Sequence, residues 1–161
     1  MFAAQKVSGS KVEIYEELGR QTRGLLDGER DLIANAANLS ALIWDLLPDL
    51  NWAGFYFLKD GELVLGPFQG KPACVRIAVG KGVCGSAVER RASIVVPDVH
   101  AFPGHVPCDS ASNSELVVPL IKNGVVRGVL DLDSPSLARF DEEDREGCER
   151  LVEFFIEATD M

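Results

Sequence analysis

Asn51-Trp52-Ala53-Gly54-Phe55-Tyr56-Phe57-Leu58-Lys59-Asp60-Gly61-Glu62-Leu63-Val64-Leu65-Gly66-Pro67-Phe68 is the stretch in which the chain changes its period. Trp52 to Leu58 is aromatic and apolar, Lys59-Asp60-Gly61 supplies a turn, and Glu62 to Phe68 returns, which predicts a β-hairpin. Upstream the spacing is helical. Ser10 to Leu26 carries Ile14, Leu18, Leu25 and Leu26 on one face, with Glu13, Glu16 and Glu17 near its start. After a break at Gly28, Asp31 to Leu47 repeats the pattern through Leu32, Ile33, Ala36, Leu39, Ile43, Leu46 and Leu47, and Pro48 stops it.

Downstream of the hairpin, Cys74 to Val79 alternates and reads as a third strand. Gly80-Lys81-Gly82 leads into a short helix, Val83 to Arg90, and Ser93 to Val96 follows as a strand. Pro97 to Asn113 shows little periodicity and many turn formers, the mark of a long and usually functional loop. Glu115 to Ile121 and Val125 to Leu132 form a second hairpin about Lys122-Asn123-Gly124. Asp141 to Thr159 is a closing helix with Leu151, Phe154 and Phe155 on one side. The layout is α+β: an antiparallel sheet of about six strands, with N- and C-terminal helices packed on one side.

The 161 residues suit one domain spanning 1–161, with 47% apolar and 25% charged residues. A net charge of −9 with scattered Lys and Arg argues against nucleic acid as a partner. Met1-Phe2-Ala3-Ala4-Gln5-Lys6 lacks the apolar run of a signal peptide, and no segment has the length of a membrane span. The expected location is cytoplasmic, where thiols are reduced and a lasting disulfide framework is not expected.

That expectation sharpens the question of the cysteines. Cys74, Cys84 and Cys108 lie in the middle third, and Cys108 opens the polar run Cys108-Asp109-Ser110-Ala111-Ser112-Asn113-Ser114-Glu115. Structural zinc favours close Cys or His pairs, whereas these cysteines stand ten and twenty-four residues apart; His100 and His105 add no close pair. Hydrolysis would need a histidine to activate the thiol, and His105 is three residues from Cys108 on an irregular loop. Redox chemistry needs an exposed thiol and a second one within reach; Cys108 meets the first demand and Cys74 the second. Cys84, between Gly82 and Gly85 at a helix start, is either tuned by the helix dipole or a small packing residue. Cys148 reads as an inert residue on the last helix. Glu115 begins a strand, while Asp131 and Asp133, two apart on the next, share a face. Such acids repel unless a proton, a cation or a substrate ammonium sits among them.

These residues resemble the free methionine-(R)-sulfoxide reductases, single-domain proteins of the GAF fold. The similarity runs from about Asn51 to Phe140. It is carried by Asn51-Trp52-Ala53-Gly54-Phe55-Tyr56, Gly66-Pro67-Phe68-Gln69-Gly70, Cys74-Val75-Arg76-Ile77, Gly82-Val83-Cys84-Gly85 and Pro97-Asp98-Val99-His100. The Cys108–Glu115 run and Gly128-Val129-Leu130-Asp131-Leu132-Asp133-Ser134 complete it. The resemblance implies that Cys108 is the nucleophile, Cys74 the principal resolving thiol and Cys84 an alternative one. It also implies that Glu115, Asp131 and Asp133 line the substrate site, with Trp52 and Tyr56 as its aromatic wall. The implied substrate is free L-methionine-(R)-sulfoxide, and the implied reductant is an external dithiol, thioredoxin, with no bound cofactor and no metal. Cys148 has no role in that pattern. Exposed apolar positions on the N-terminal helices suit a homodimer. The competing reading is a stand-alone GAF-type sensor of a small ligand or of thiol oxidation, against which stands the expectation that no output segment follows the last helix.

Overall fold

The computed structural model describes residues 1–105 and 107–161; Val106, inside the predicted loop from Pro97 to Asn113, lies outside the described residues. The elements are α1 (Lys11–Leu26), α2 (Leu32–Leu46), β1 (Trp52–Lys59), β2 (Glu62–Gly70), β3 (Arg76–Ala78), α3 (Gly82–Arg90), β4 (Ile94–Val96), β5 (Ser114–Lys122), β6 (Val125–Ser134) and α4 (Glu142–Ala158). A 3-10 turn, Val99–Ala101, lies within the long loop.

Local chemistry sets the helix starts. Ser10 accepts from the Glu13 amide while the Glu13 carboxylate takes the Ser10 amide, a capping box on α1. Asp31 caps α2 through the Ala34 amide, and Asp141 caps α4 through the amides of Glu143 and Asp144. The acidic first turn of α4 further suits the positive end of its dipole.

Six strands form one sheet in the order β3-β2-β1-β6-β5-β4, every neighbouring pair antiparallel. Alternation sends the two side-chain sets to different layers. Ala53, Phe55 and Phe57 of β1, Leu116, Val118 and Leu120 of β5, and Leu130 and Leu132 of β6 face α1, α2 and α4 and make the larger core. The opposite face carries Trp52, Tyr56, Val117 and Val129 and is covered by α3 through Val83, Cys84, Ala87 and Val88. The α+β layout and six antiparallel strands are as expected, and α3 adds a layer on the second face.

One strand is shorter than expected. Cys74 to Val79 reduces to Arg76–Ala78, paired with Glu62 to Val64, so Cys74 lies in an irregular segment. Side-chain donors from β1 hold the carbonyls of Lys71 and Cys74, and the Cys74 sulfur is bonded to Cys108, so the contact with β2 stops at Val75, whose carbonyl takes the Leu65 amide. α3 returns tightly against the end of β3: a Cβ on Gly85 would stand 2.3 Å from the Ala78 carbonyl oxygen, so only glycine fits.

Candidate active site

Strand register brings the acids together. Asp133 of β6 lies opposite Trp52 on one side and Glu115 on the other, while Asp131 lies opposite Gly54 and Val117. Trp52, Glu115, Asp131 and Asp133 therefore share the α3 face of the three central strands, as the two-residue spacing predicted for the aspartates. Above them is a cleft of about 540 Å³, mouth included, lined by the four together with Tyr56, Cys84, Cys108 and several neighbours. Seven of the eight predicted residues thus meet in one place. The eighth, Cys74, reaches it through a disulfide to Cys108, with Cα atoms 5.5 Å apart, and its neighbours Pro72 and Ala73 form part of the wall.

No lysine or arginine is among the residues that line this cleft. The electrostatics follow. Burial pushes the Glu115 carboxyl well above its usual range, and the negative charges of Asp131 and Asp133 add to it. Burial likewise drives Asp133 well up, aided by Asp131 and Asp109. Asp131 is raised by burial to about 6, moderated by hydrogen bonding to Glu115 and Cys84. Asp131 is therefore the first of the three to ionise, and its buried Oδ1 has no hydrogen-bond partner. The ligand atoms of Cys84, Glu115 and Asp131 all lie within 4.8 Å of one another, close enough for one cationic group to touch all three.

Cys84 shows which of its two readings wins. Its Sγ lies 3.9 Å from Glu115 Oε1. Burial first, then the charges of Asp131 and Glu115, hold its thiol well above the ordinary value, so the dipole of α3 does not activate it. Nor do the three cysteines converge on one point: Cys74 and Cys108 pair, while Cys84 turns to the carboxylates. Cys148 is buried in the larger core, its thiol pushed up to about 12 by burial, with Tyr15 Oη 3.7 Å away.

The loop that carries Cys108 is held at its base. Asp109 Oδ1 accepts from the Ala111 amide at 2.9 Å, and the Asn51 amide group donates to Asp109 Oδ2 at 3.1 Å and to Ser112 Oγ at 3.0 Å. The Ala111 amide, with help from Asn51 and Lys71, keeps Asp109 ionised below the usual range. The Asn113 amide donates to the Ser134 carbonyl at 2.8 Å, tying the loop to the end of β6. Tyr56 and Trp52 stack with ring centroids 5.8 Å apart, and Phe68 stacks on Trp52. Their polar ends are used as well: Tyr56 Oη donates to the Cys74 carbonyl at 2.9 Å, and Trp52 Nε1 to the Lys71 carbonyl at 3.2 Å. Burial and the charge of Asp131 raise the Tyr56 hydroxyl further, so it keeps its proton.

Sequence reasoning gave no role to three contributors. Asp109 and Ser112 line the cleft, and Asn51 braces its loop. The first two sit within the polar run after Cys108, so the run itself was their signal. Asn51 acts across 58 residues of sequence, which no local pattern reports. His105 does face the cleft, and burial together with His100 lowers its pKa, favouring the neutral ring.

Comparison with known proteins places this arrangement among relatives. The family model described as GAF domain matches residues 35–154. The chain is 53% identical over 143 residues to the free methionine-R-sulfoxide reductase of Escherichia coli, covering 89% of this chain and 87% of that one. It is 46% identical over 151 residues to the protein of the same name from Saccharomyces cerevisiae, covering 89% and 84%. Among solved structures, the free methionine-R-sulfoxide reductase of Neisseria meningitidis in complex with its substrate superposes with a TM-score of 0.95 at 41% identity, over 98% of this chain and 95% of that chain.

Proposed function

The chain belongs to the free methionine-R-sulfoxide reductases of the GAF domain family, and from that premise we propose that it reduces free L-methionine-(R)-sulfoxide to L-methionine by thiol chemistry at Cys108. The observation that carries this reading is a Cys74–Cys108 disulfide beside a cleft of buried acids that have no cation among their lining residues.

Sulfoxide sulfur becomes electrophilic when its oxygen is protonated. Glu115, which burial and its acidic neighbours keep protonated, donates to that oxygen as the Cys108 thiolate attacks sulfur. The hydroxyl then passes from the substrate sulfur to Cys108: the substrate S–O bond and the transient S–S bond break, an S–O bond to Cys108 forms, and methionine leaves with Cys108 as a sulfenic acid; the proton released by the thiol balances the one donated by Glu115. The Cys74 thiol then displaces water from Cys108 and forms the disulfide. An external dithiol, thioredoxin, returns both sulfurs to thiols by exchange. Cys84, buried and held protonated, is the reserve resolving thiol in this scheme.

Selection for the free amino acid has a matching basis. Asp131 ionises near pH 6 and leaves one buried oxygen without a partner, which an α-ammonium would fill. A methionine inside a protein chain carries no such charge. The amides of the 109–114 loop suit the α-carboxylate. Trp52 and Tyr56 pack on the S-methyl group, a contact of about 0.3–1.5 kcal/mol. The same reading takes residues 1–161 as one domain in a reducing cytoplasm. No helix among the described residues is long and apolar enough to cross a membrane. It also includes a homodimer through the exposed Val12, Ile33 and Trp44 of α1 and α2.

The test is to supply each epimer of free methionine sulfoxide with dithiothreitol and measure methionine. Consumption of the R epimer alone, lost by at least about a thousandfold in Cys108→Ser, is the expected result, since the nucleophile has no substitute. Full activity in Cys108→Ser, or consumption of the S epimer alone, overturns the assignment.

A further inference from the structure

We propose that Tyr56, with Trp52 beside it, is a positioning residue for the second half of the reaction, holding the Lys71–Val75 segment so that the Cys74 thiol meets the Cys108 sulfenic acid. The inference rests on the roles of Cys108 and Cys74 in the function proposed above.

The segment that carries Cys74 has no helix or strand of its own. It leaves β2 at Gly70, whose φ of 131° is open to glycine; a Cβ there would stand 2.8 Å from both the Asn51 carbonyl oxygen and Trp52 Cδ1. Three hydrogen bonds then fix its path. Trp52 Nε1 holds the Lys71 carbonyl, Tyr56 Oη holds the Cys74 carbonyl, and the Leu65 amide holds the Val75 carbonyl at 2.9 Å. Two of the three come from the aromatic residues that line the cleft. The Tyr56 hydroxyl is therefore committed to the backbone of the resolving cysteine, while its ring remains for the substrate.

Resolution is a displacement whose atoms close without another reactant. The Cys74 sulfur attacks the Cys108 sulfur, an S–S bond forms, the S–O bond breaks, and the oxygen leaves as water with the Cys74 proton. Cys108 is reduced from sulfenic acid to the disulfide level as Cys74 is oxidised to it. The rate of such a step depends on how firmly the two sulfurs are held in line; a displacement of about 1 Å can cost about a hundredfold. A bond on the carbonyl of the attacking residue is the shortest available lever on that geometry.

Tyr56→Phe keeps the ring and removes only the donor. Reduced full-length protein is mixed with one equivalent of the free R sulfoxide, quenched at intervals and analysed for methionine and for the Cys74–Cys108 bond, with dimedone present in a parallel series to trap sulfenic acid. The expected result is disulfide formation slowed by about tenfold, the size of one hydrogen bond, with methionine release slowed much less and a dimedone adduct accumulating on Cys108. Trp52→Phe, which removes the second donor, shifts the same ratio in the same direction and serves if Tyr56→Phe does not fold. Equal slowing of both steps with a raised KM would assign the tyrosine to the substrate wall alone and overturn the proposal. So would disulfide formation at the wild-type rate. If the unmodified protein releases no methionine, it is the underlying function that has failed.

Discussion

Asp131 and Glu115 give the protein a pH response opposite in sign to that of an ordinary carboxylate pair. Asp141 shows the ordinary case: burial opposes it, but hydrogen bonds from Lys11 and from the Asp144 backbone bring it down to about 2. Asp131 goes the other way, from 3.8 to about 6, because burial favours its neutral form. A group whose folded pKa is raised lends stability that is complete below its unfolded pKa and is lost as pH rises through the folded one. For Asp131 that window is about pH 4 to 6, and the loss is on the order of 3 kcal/mol. Asp131→Asn should therefore flatten the decline in unfolding temperature across that window and leave the variant more stable than the parent at pH 7. Thermal melts from pH 4 to 8, both proteins held in the disulfide form, check this; parallel curves would contradict it. These acids and the three thiols were legible in the sequence because strand alternation and loop polarity are local signals. Asn51 was not, since its partners Asp109 and Ser112 are distant in sequence and meet it only in the fold.

At the scale of elements, the two hairpins were readable because Lys59-Asp60-Gly61 and Lys122-Asn123-Gly124 place residues with positive φ where the turns need them: Asp60 and Gly61, Asn123 and Gly124. The terminal helices were readable from their period, the acidic start of the first and the stop at Pro48. The stretch from Cys74 to Val79 was not, because alternation records what a segment could do beside a free edge. Here the Tyr56 hydroxyl and the disulfide hold Cys74 outside the ladder, while Val75 keeps one bond to Leu65. The placement of α3 is likewise tertiary, since its proximity to β3 depends on Gly85 lacking a side chain. Gly85→Ala should cost about 1–3 kcal/mol, the range for forcing extra atoms into a packed contact. It should also lower the resistance of the Cys84 thiol to alkylation in the native state, because α3 must shift away from the Ala78 carbonyl. Denaturant melts and timed iodoacetamide labelling check both; unchanged stability would show that the contact can relax freely.

Across the whole molecule, two buried acidic sites have been built on opposite terms. Asp144, 1% exposed, is satisfied by Lys11 at 2.6 Å, Arg139 at 3.2 Å and Tyr15 Oη at 2.9 Å, and it fastens the start of α4 to α1. Glu115 and Asp131, 6% and 5% exposed, have no lysine or arginine beside them in the cleft. Asp144 is compensated by two cations, whereas burial shifts Glu115 and Asp131 toward their protonated forms, the arrangement on which the proposed substrate site rests. The sheet separates two layers, with the larger core on one face and the acidic cleft on the other. The α+β division was visible in the change of period at Asn51, but the division of labour between the faces required the register. The most direct test is a single turnover. Fully reduced protein mixed with free L-methionine-(R)-sulfoxide, without any added reductant, should yield one methionine per chain and a disulfide mapped by mass to Cys74 and Cys108. A Cys84–Cys108 bond would exchange the roles of the two resolving thiols, and the absence of methionine would contradict the account.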